Sequence, residues 1–579
     1  MAFSWESLGG PSQLLLDFLS KHQVVSTLLT LTAVLAVLIS FFSASSSNHR
    51  HGTTLQPPSV PGCWLPLVRH CPQFLFNRAG FLAGLTKRYP DGIFSLILMG
   101  RTNHIIHSPA LASTLWNRPR SVDEKWLAAR MLTASFGLRR QDQTTYSKLA
   151  HETPDLFKHM LSDPGLSSLV SAMIDQVKAH ISELVTFSSS AADQTDWERA
   201  AGADLVNGSK GETFVEADLM LLVRNFVART ANPALFGTDF VENFPEFWHL
   251  LWILDEGLVL LAAKLPGWIP WPRLRRARAA RRQMLMRTRE FEAAMDKHLR
   301  GEDGEDAGNR WQDMENVSTF VKSRIQLFRN HGLSLEARAS CDVALAWAMN
   351  ANANPLITWL LFELYRDAVL LEAIRQEVAP FVKVAQPENG FGSAVWLAPE
   401  LVHLDVEGLI HKCPQLKAAY LETLRVYTGI WAVRCLTEDV VLETRSKRAE
   451  GYLLQKGDMV HMAHELHQFD ANFFPNPNEW HHERFLKQRK DDVGRSVQTV
   501  ELGTLRPYGA GPSMCKGRAF ALREMLLYSS TIISLYDMMP PEGGSWGEPE
   551  TYKRAATRYP KNPIKVWIRR RDINNADAK

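Results

Sequence analysis

At 579 residues, 45% hydrophobic and 22% charged, the chain can bury a large core. Its 65 Lys plus Arg against 62 Asp plus Glu leave a formal charge of +3, too small a basic excess to call for a nucleic-acid partner. Six cysteines without a short repeating spacing argue against a disulfide scaffold and for a reducing, cytosol-facing compartment.

After an N-terminal segment, 1–23, Val24–Phe42 is a 19-residue run without a charge. At about 1.5 Å per residue it spans roughly the hydrocarbon core of a bilayer, which predicts a single transmembrane anchor at 24–42. The small residues Ser43-Ala44-Ser45 would suit a cleaved signal peptide instead, but the run starts late, is long for that role and follows Glu6 and Asp17. Lys21 on one side and Arg50 on the other do not orient it. Residues 43–72 read as a Ser/Pro-rich linker, 73–570 as one catalytic domain and 571–579 as a polar tail.

Within that domain, Ile93–Met99 and His104–His107 are apolar runs separated by Gly-Arg-Thr-Asn, a hairpin signal. From Ala110 onward the pattern is overwhelmingly helical. Two polar stretches, Ser188–Glu212 and Gly301–Glu315, predict exposed insertions, and the sequons at Asn207 and Asn316 would stay unmodified in a cytosolic domain. Phe244–Leu265 is unusually apolar. Trp268 and Trp271 follow it, beside the run Arg273–Arg282 with six Arg, a combination that suits a bilayer interface as well as a solvated basic helix.

Leu335–Glu363 predicts one long helix, centred on Trp347-Ala-Met-Asn-Ala-Asn-Ala-Asn-Pro355. Pro355 has no N–H and should kink it. In Cys413–Tyr427, also helical, Glu422 and Arg425 lie three apart on one face of a mostly apolar helix, so they predict a buried ion pair needing further partners, with Arg484 the third member. Arg506–Glu524 combines Tyr508, Gly509, Gly511 and Pro512 with Cys515, and Gly517 opens another helical segment. A cysteine on a tight loop at a helix N-terminus is expected to have a lowered pKa and to exist as the thiolate, the form that binds metal or attacks an electrophile.

This last stretch resembles the cysteine-ligand loop of the cytochrome P-450 (haem-thiolate) family, aromatic-x-x-Gly-x-x-x-Cys-x-Gly, with Tyr508 where Phe is usual. Glu422-Thr-Leu-Arg425 matches the family's Glu-x-x-Arg, and His482-Glu-Arg-Phe485 resembles its Pro-Glu-Arg-Phe. The likeness covers about Pro61 to Ile568. It implies a mainly α fold with small β-sheets, haem b bound axially by Cys515 with Tyr508, Gly511 and Gly517 forming the loop, and a structural triad of Glu422, Arg425 and Arg484. Arg434 fits a haem-propionate partner, although Ser513 stands where many members have another Arg and Lys148 is only a weak substitute. The resemblance further implies a catalytic domain on the cytosolic side of the endoplasmic reticulum, an apolar substrate entering from the bilayer, and electrons from NADPH-cytochrome P-450 reductase meeting Lys412, Lys417, Lys516 and Arg518.

The Trp-Ala-x-x-x-Asn-x-x-Pro framing resembles the branch containing sterol hydroxylases and prostacyclin synthase, with Asn352 as its Asn. The following residue, usually Thr in hydroxylases, is Ala353, and no hydroxyl occurs between Cys341 and Thr358. O–O cleavage needs protons at the distal oxygen. Either Asn350, Asn352 or Asn354 with waters takes over their delivery, or a substrate hydroxyl does, or the enzyme does not activate O₂. The expected act is monooxygenation of a steroid, terpenoid or polyketide-like molecule, plausibly in secondary metabolism. A redox-neutral rearrangement is the alternative, and a haem-binding sensor or carrier the rival from another class.

Overall fold

A computed structural model describes residues 55–63, 69–123, 125–149, 152–266, 268, 270–302, 310–387, 398–443, 451–490, 493–554 and 556–573. The fold is mainly helical with small sheets. Among the described residues no helix is long and apolar enough to cross a membrane; the anchor predicted at 24–42 lies outside them. Two compact units are formed, one by described residues of Met1–Asp123 and Val433–Met462, the other by those of Glu124–Ala432 and Ala463–Lys579.

In the first unit Ile93–Leu98 and Arg101–Ile106 pair antiparallel, with Leu98 opposite Arg101. The hairpin was predicted, but its turn is Met99-Gly100 rather than the polar tetrad Gly100–Asn103. Both turn residues have positive φ, 51° and 74°, and such a two-residue turn matches the right-handed twist of the strands it joins. Met99 is therefore apolar yet 92% exposed, because it occupies the tip. Met459–Ala463 adds in parallel beside Arg101–Ile106. Buried polar side chains stitch this sheet: His104 bonds Ser95 Oγ at 2.8 Å and Asp458 at 2.9 Å.

In the second unit, the first predicted insertion is structured. Thr195 caps Asp196–Ala201 in a reciprocal box with Glu198, both Trp197 and Glu198 are buried, and Asp204–Asn207 pairs with Thr213–Asp218. Most of Ser188–Glu212 is exposed as expected, and its polar residues also serve as caps and turn formers. Of the second, residues 303–309 lie outside the described residues, while Met314 is buried. Phe247–Ala262 and Pro272–His298 are helices. Trp268 and Trp271 between them are 80% and 47% exposed. Of the six Arg, Arg278 and Arg281 donate to Leu265 O and Ala134 O at 2.6 and 2.8 Å. Arg273, Arg275, Arg276 and Arg282 remain exposed.

The long helix is two, Leu335–Asn350 and Ala353–Arg366. Pro355 has no N–H to offer Ala351 O, and the Tyr559 hydroxyl donates there instead, at 3.3 Å. Trp359 on the second half stacks on Tyr427 of helix Pro414–Tyr427, ring centroids 4.1 Å apart. Helix Arg518–Leu535, buried along most of its length, completes the core behind the cysteine loop.

Candidate haem-thiolate site

The cysteine loop is built from its backbone. Gly509 and Gly511 adopt φ of +71° and +67°, where a side chain would be strained. Pro507 and Gly509 form a bridge, Cys515 N donates to Tyr508 O at 2.9 Å, and Met514 N donates to Gly511 O at 3.1 Å. The chain is thereby folded back so that Cys515 precedes helix Arg518–Leu535, with Gly517 as its N-cap. Gly517 itself has an ordinary negative φ; its N–H and that of Arg518 donate toward the Cys515 sulfur. Arg518 and Lys516 donate to Cys515 O and Pro512 O, both at 2.9 Å, which holds two cations beside the thiol.

One expectation is corrected here. Burial pushes the Cys515 thiol up, and the two amides and the two cations oppose that shift without cancelling it. Cys515 is nevertheless solvent-exposed by surface area. A side chain that is both desolvated and accessible faces a recess in the fold rather than open solvent. A low-dielectric recess disfavours the bare thiolate, so the amides and cations prepare a ligand whose negative charge only a bound metal cation completes. This donor set fits a haem iron.

Behind the loop Tyr508 meets Tyr420 hydroxyl to hydroxyl, a contact that Phe, usual at this position, could not make. Sequence reading missed Tyr420, although it stands two residues before Glu422 on the same helix. It also missed Glu524. This carboxyl is buried, its Oε2 makes no hydrogen bond, and burial pushes it from 4.5 up to about 8. The folded chain therefore holds this proton more tightly than the unfolded chain does, so stability falls as pH rises through the window between those two values. Glu524→Gln is expected to flatten that fall, seen as urea midpoints that change less between the two ends of the window than in the parent.

The structure gathers Glu422, Arg425 and Arg484 on one carboxylate. Glu422 and Arg425 are both fully buried, and Arg425 Nε and Nη2 each donate to a different Glu422 oxygen at 2.7 Å. Arg484 Nε donates to Glu422 Oε1 at 3.1 Å, and His481 N reaches the same oxygen at 2.8 Å. The remaining Arg425 donors serve Gln468 O, Pro477 O and Glu479 O at 3.0, 2.7 and 2.9 Å. That satisfaction is what makes a buried pair tolerable.

On the split helix, Trp347 Nε1 donates to Asp255 at 2.8 Å, and burial pushes that carboxyl up. Asn350 and Asn354 belong to a closed amide network: Asn350 exchanges bonds with Asn232 at 2.9 and 3.0 Å, and Asn354 Nδ2 donates to Asn350 Oδ1 and Arg224 O at 3.1 and 3.2 Å. Asn352 stands apart. Its Oδ1 accepts from Thr557 Oγ1 at 2.8 Å. Ala351 and Ala353 beside it are buried, and Ala353 indeed brings no hydroxyl.

Other predicted residues sit elsewhere. Arg434 lies on strand Trp431–Leu436, in the part of the chain assigned to the first unit, where its Nη1 donates to Val433 O at 2.8 Å. Ser513 closes the turn Gly511–Ser513, and Lys148 is exposed on helix Gln143–Leu149. Lys412 is exposed, whereas Lys417 is half-buried and donates to Ile410 O at 3.4 Å.

Residues 335–566 match the family described as Cytochrome P450. Among curated relatives, a cytochrome P450 monooxygenase, efuG, of Hormonema carpetanum is 24% identical over 554 residues, covering 90% of this chain and 91% of the relative. Cytochrome P450 7B1 of Mus musculus is 23% identical, covering 83% of this chain and 84% of its own. A 5-beta-cholestane-3-alpha,7-alpha-diol 12-alpha-hydroxylase of Sus scrofa is 22% identical, covering 83% and 86%. Residues 335–566 thus carry a cytochrome P450 domain, and the relatives matched over most of the chain are cytochrome P450 monooxygenases and sterol hydroxylases.

Proposed function

We propose that the chain is a haem b monooxygenase of secondary metabolism that uses O₂ and reductase-supplied electrons to oxidise an apolar small molecule of steroid, terpenoid or polyketide type. The observation that carries this reading is Cys515, with two backbone N–H groups aimed at its sulfur and two cations beside it. In the bound state the haem supplies oxygen activation, and the protein supplies position and electrostatics. Cys515 would hold the haem iron through its sulfur, and the carbonyl and amide bonds of its loop, with Tyr508, Gly511 and Gly517, keep that sulfur in place. Glu422, Arg425 and Arg484 tie the helix to Gln468 and to the 475–485 segment. Arg434 offers a guanidinium fork for a propionate.

The exposed Trp268 and Trp271 with Arg273, Arg275, Arg276 and Arg282 suit a bilayer interface, so the apolar substrate enters from lipid and the chain works on the cytosolic face of the endoplasmic reticulum, tethered by 24–42. NADPH-cytochrome P-450 reductase meets the face bearing Lys412, Lys516 and Arg518.

Ala353 is the specific observation that favours a second reading, a redox-neutral rearrangement. The test is mass spectrometry of extracted metabolites incubated with membranes carrying the protein and reductase, with and without NADPH. A product gaining one oxygen or losing two hydrogens only with NADPH is expected, and Ala353→Thr should then raise the fraction of NADPH consumption that appears as product. An isobaric product formed without NADPH in both forms would overturn monooxygenation.

A further inference from the structure

Thr557 is the first residue of strand Thr557–Pro560, 205 positions from Asn352 in the chain, and it is fully buried. Its strand is fastened to the split helix through three consecutive residues. Thr557 Oγ1 donates to Asn352 Oδ1 at 2.8 Å, Arg558 O accepts from Trp359 Nε1 at 2.8 Å, and the Tyr559 hydroxyl donates to Ala351 O at 3.3 Å. From the other side, Thr557 bridges Thr428 at the end of the Glu422 helix, and Gly429 N donates to Ala556 O at 2.8 Å. The hydroxyl is thus held by backbone on both flanks.

The consequence concerns the amide of Asn352. An Asn side chain has an acceptor end and a donor end, and its flip decides which faces a given direction. In the structure Thr557 donates to Oδ1, and the two Nδ2 hydrogens point away from it. Among the described residues nothing accepts them, and Asn352 is only half-buried. Asn350 and Asn354 differ: their Nδ2 groups are consumed by Asn232, Ala346, Arg224 and Asn350 itself. Of the three amides that could stand in for the hydroxyl missing at 353, only Asn352 has donors to present.

We propose that Thr557 is a positioning residue that locks the Asn352 amide in one flip, so that Nδ2 donates to an oxygen atom, a hydroxyl, carbonyl or water, on the distal face. The inference rests on the haem-thiolate reading of Cys515. Without the Thr557 hydroxyl the acceptor end loses its anchor and the amide samples both orientations.

Carbon monoxide added to the reduced holoprotein reports on distal donors without turnover, because a donor near its oxygen lowers the C–O stretching frequency. Infrared spectra would be compared for the parent, Thr557→Val, Thr557→Ser, Asn352→Leu and the Asn352→Leu/Thr557→Val pair. Thr557→Val should move the band to higher frequency or split it, Thr557→Ser should retain the parental band, and Asn352→Leu should shift it with no further change in the double variant. A Val band identical to the parent, or a Ser band displaced as far as Val, would overturn the inference, since the hydroxyl would then orient nothing. Silence of both Asn352→Leu and Thr557→Val would overturn it equally. Absence of a thiolate-type carbon monoxide spectrum in the parent would instead overturn the haem-thiolate reading, and this inference with it.

Discussion

Arg425→Ala is expected to yield a chain that retains no haem and unfolds at much lower denaturant than the parent. Arg425 is fully buried and supplies every strong partner that Glu422 has within its own helix, together with donors to Gln468 O, Pro477 O and Glu479 O. Removing one member of a buried ion pair costs about 3–5 kcal/mol, because the other charge stays buried. Each backbone carbonyl left without a donor adds about 1–3 kcal/mol. Together these approach the whole stability of a typical domain, about 5–15 kcal/mol. Arg425→Lys keeps the charge but not the planar fork that reaches both Glu422 oxygens and three carbonyls, so it should rescue only in part. The measurements are haem per protein after purification and the urea midpoint; a parental midpoint in Arg425→Ala would show that the frame does not depend on this side chain.

Cys515→Ser should separate binding from folding. The residue is exposed and outside the core, so its replacement by an isostere should move stability by no more than about 0.5 kcal/mol. Both the thiolate-type carbon monoxide spectrum and NADPH-dependent product formation should be lost. The control is Cys413, in the same unit and buried, where desolvation pushes the thiol up to about 12 and Sγ donates to Glu377 O at 3.4 Å. Cys413→Ala should leave the spectrum unchanged. If the Cys515 variant keeps the spectrum and the Cys413 variant loses it, the ligand has been assigned to the wrong loop.

Much of this was legible in the residues because the relevant physics is local. Glu422 and Arg425 lie on one helical face by periodicity alone, and Pro355 cannot donate wherever the helix lies. The positive φ of Gly509 and Gly511 belongs to a turn a few residues long. The hairpin 93–106 was legible too, though its turn was misplaced, because alternation marks strands better than it marks the two residues between them. Composition read Ser188–Glu212 rightly as a largely exposed stretch, but not the capped helix Asp196–Ala201 within it, whose Trp197 and Glu198 are buried.

The thiol shift could not be read in the same way. Helix position and neighbouring amides are sequence-local and favour thiolate, while desolvation depends on how much of the fold closes around the sulfur, and here it dominates. Long-range hydrogen bonds were invisible for a related reason. Tyr420 and Tyr508 are 88 positions apart, and Asn350 and Asn232 are 118 apart. No periodicity links such residues; only packing brings them together.

By itself, then, the sequence determined the elements and the chemistry they carry: a cysteine on a glycine turn, a charged pair on an apolar helix, and a helix interrupted near Pro355 with no hydroxyl between Cys341 and Thr358. Tertiary structure alone decided which groups those elements meet. It placed Arg484 on the Glu422 carboxylate, set the balance of burial against amides at Cys515, and brought the hydroxyl of Thr557 to Asn352. The division follows from range: dihedral preferences and helical spacing act over a few residues, whereas desolvation and side-chain hydrogen bonds exist only where distant segments have closed on one another.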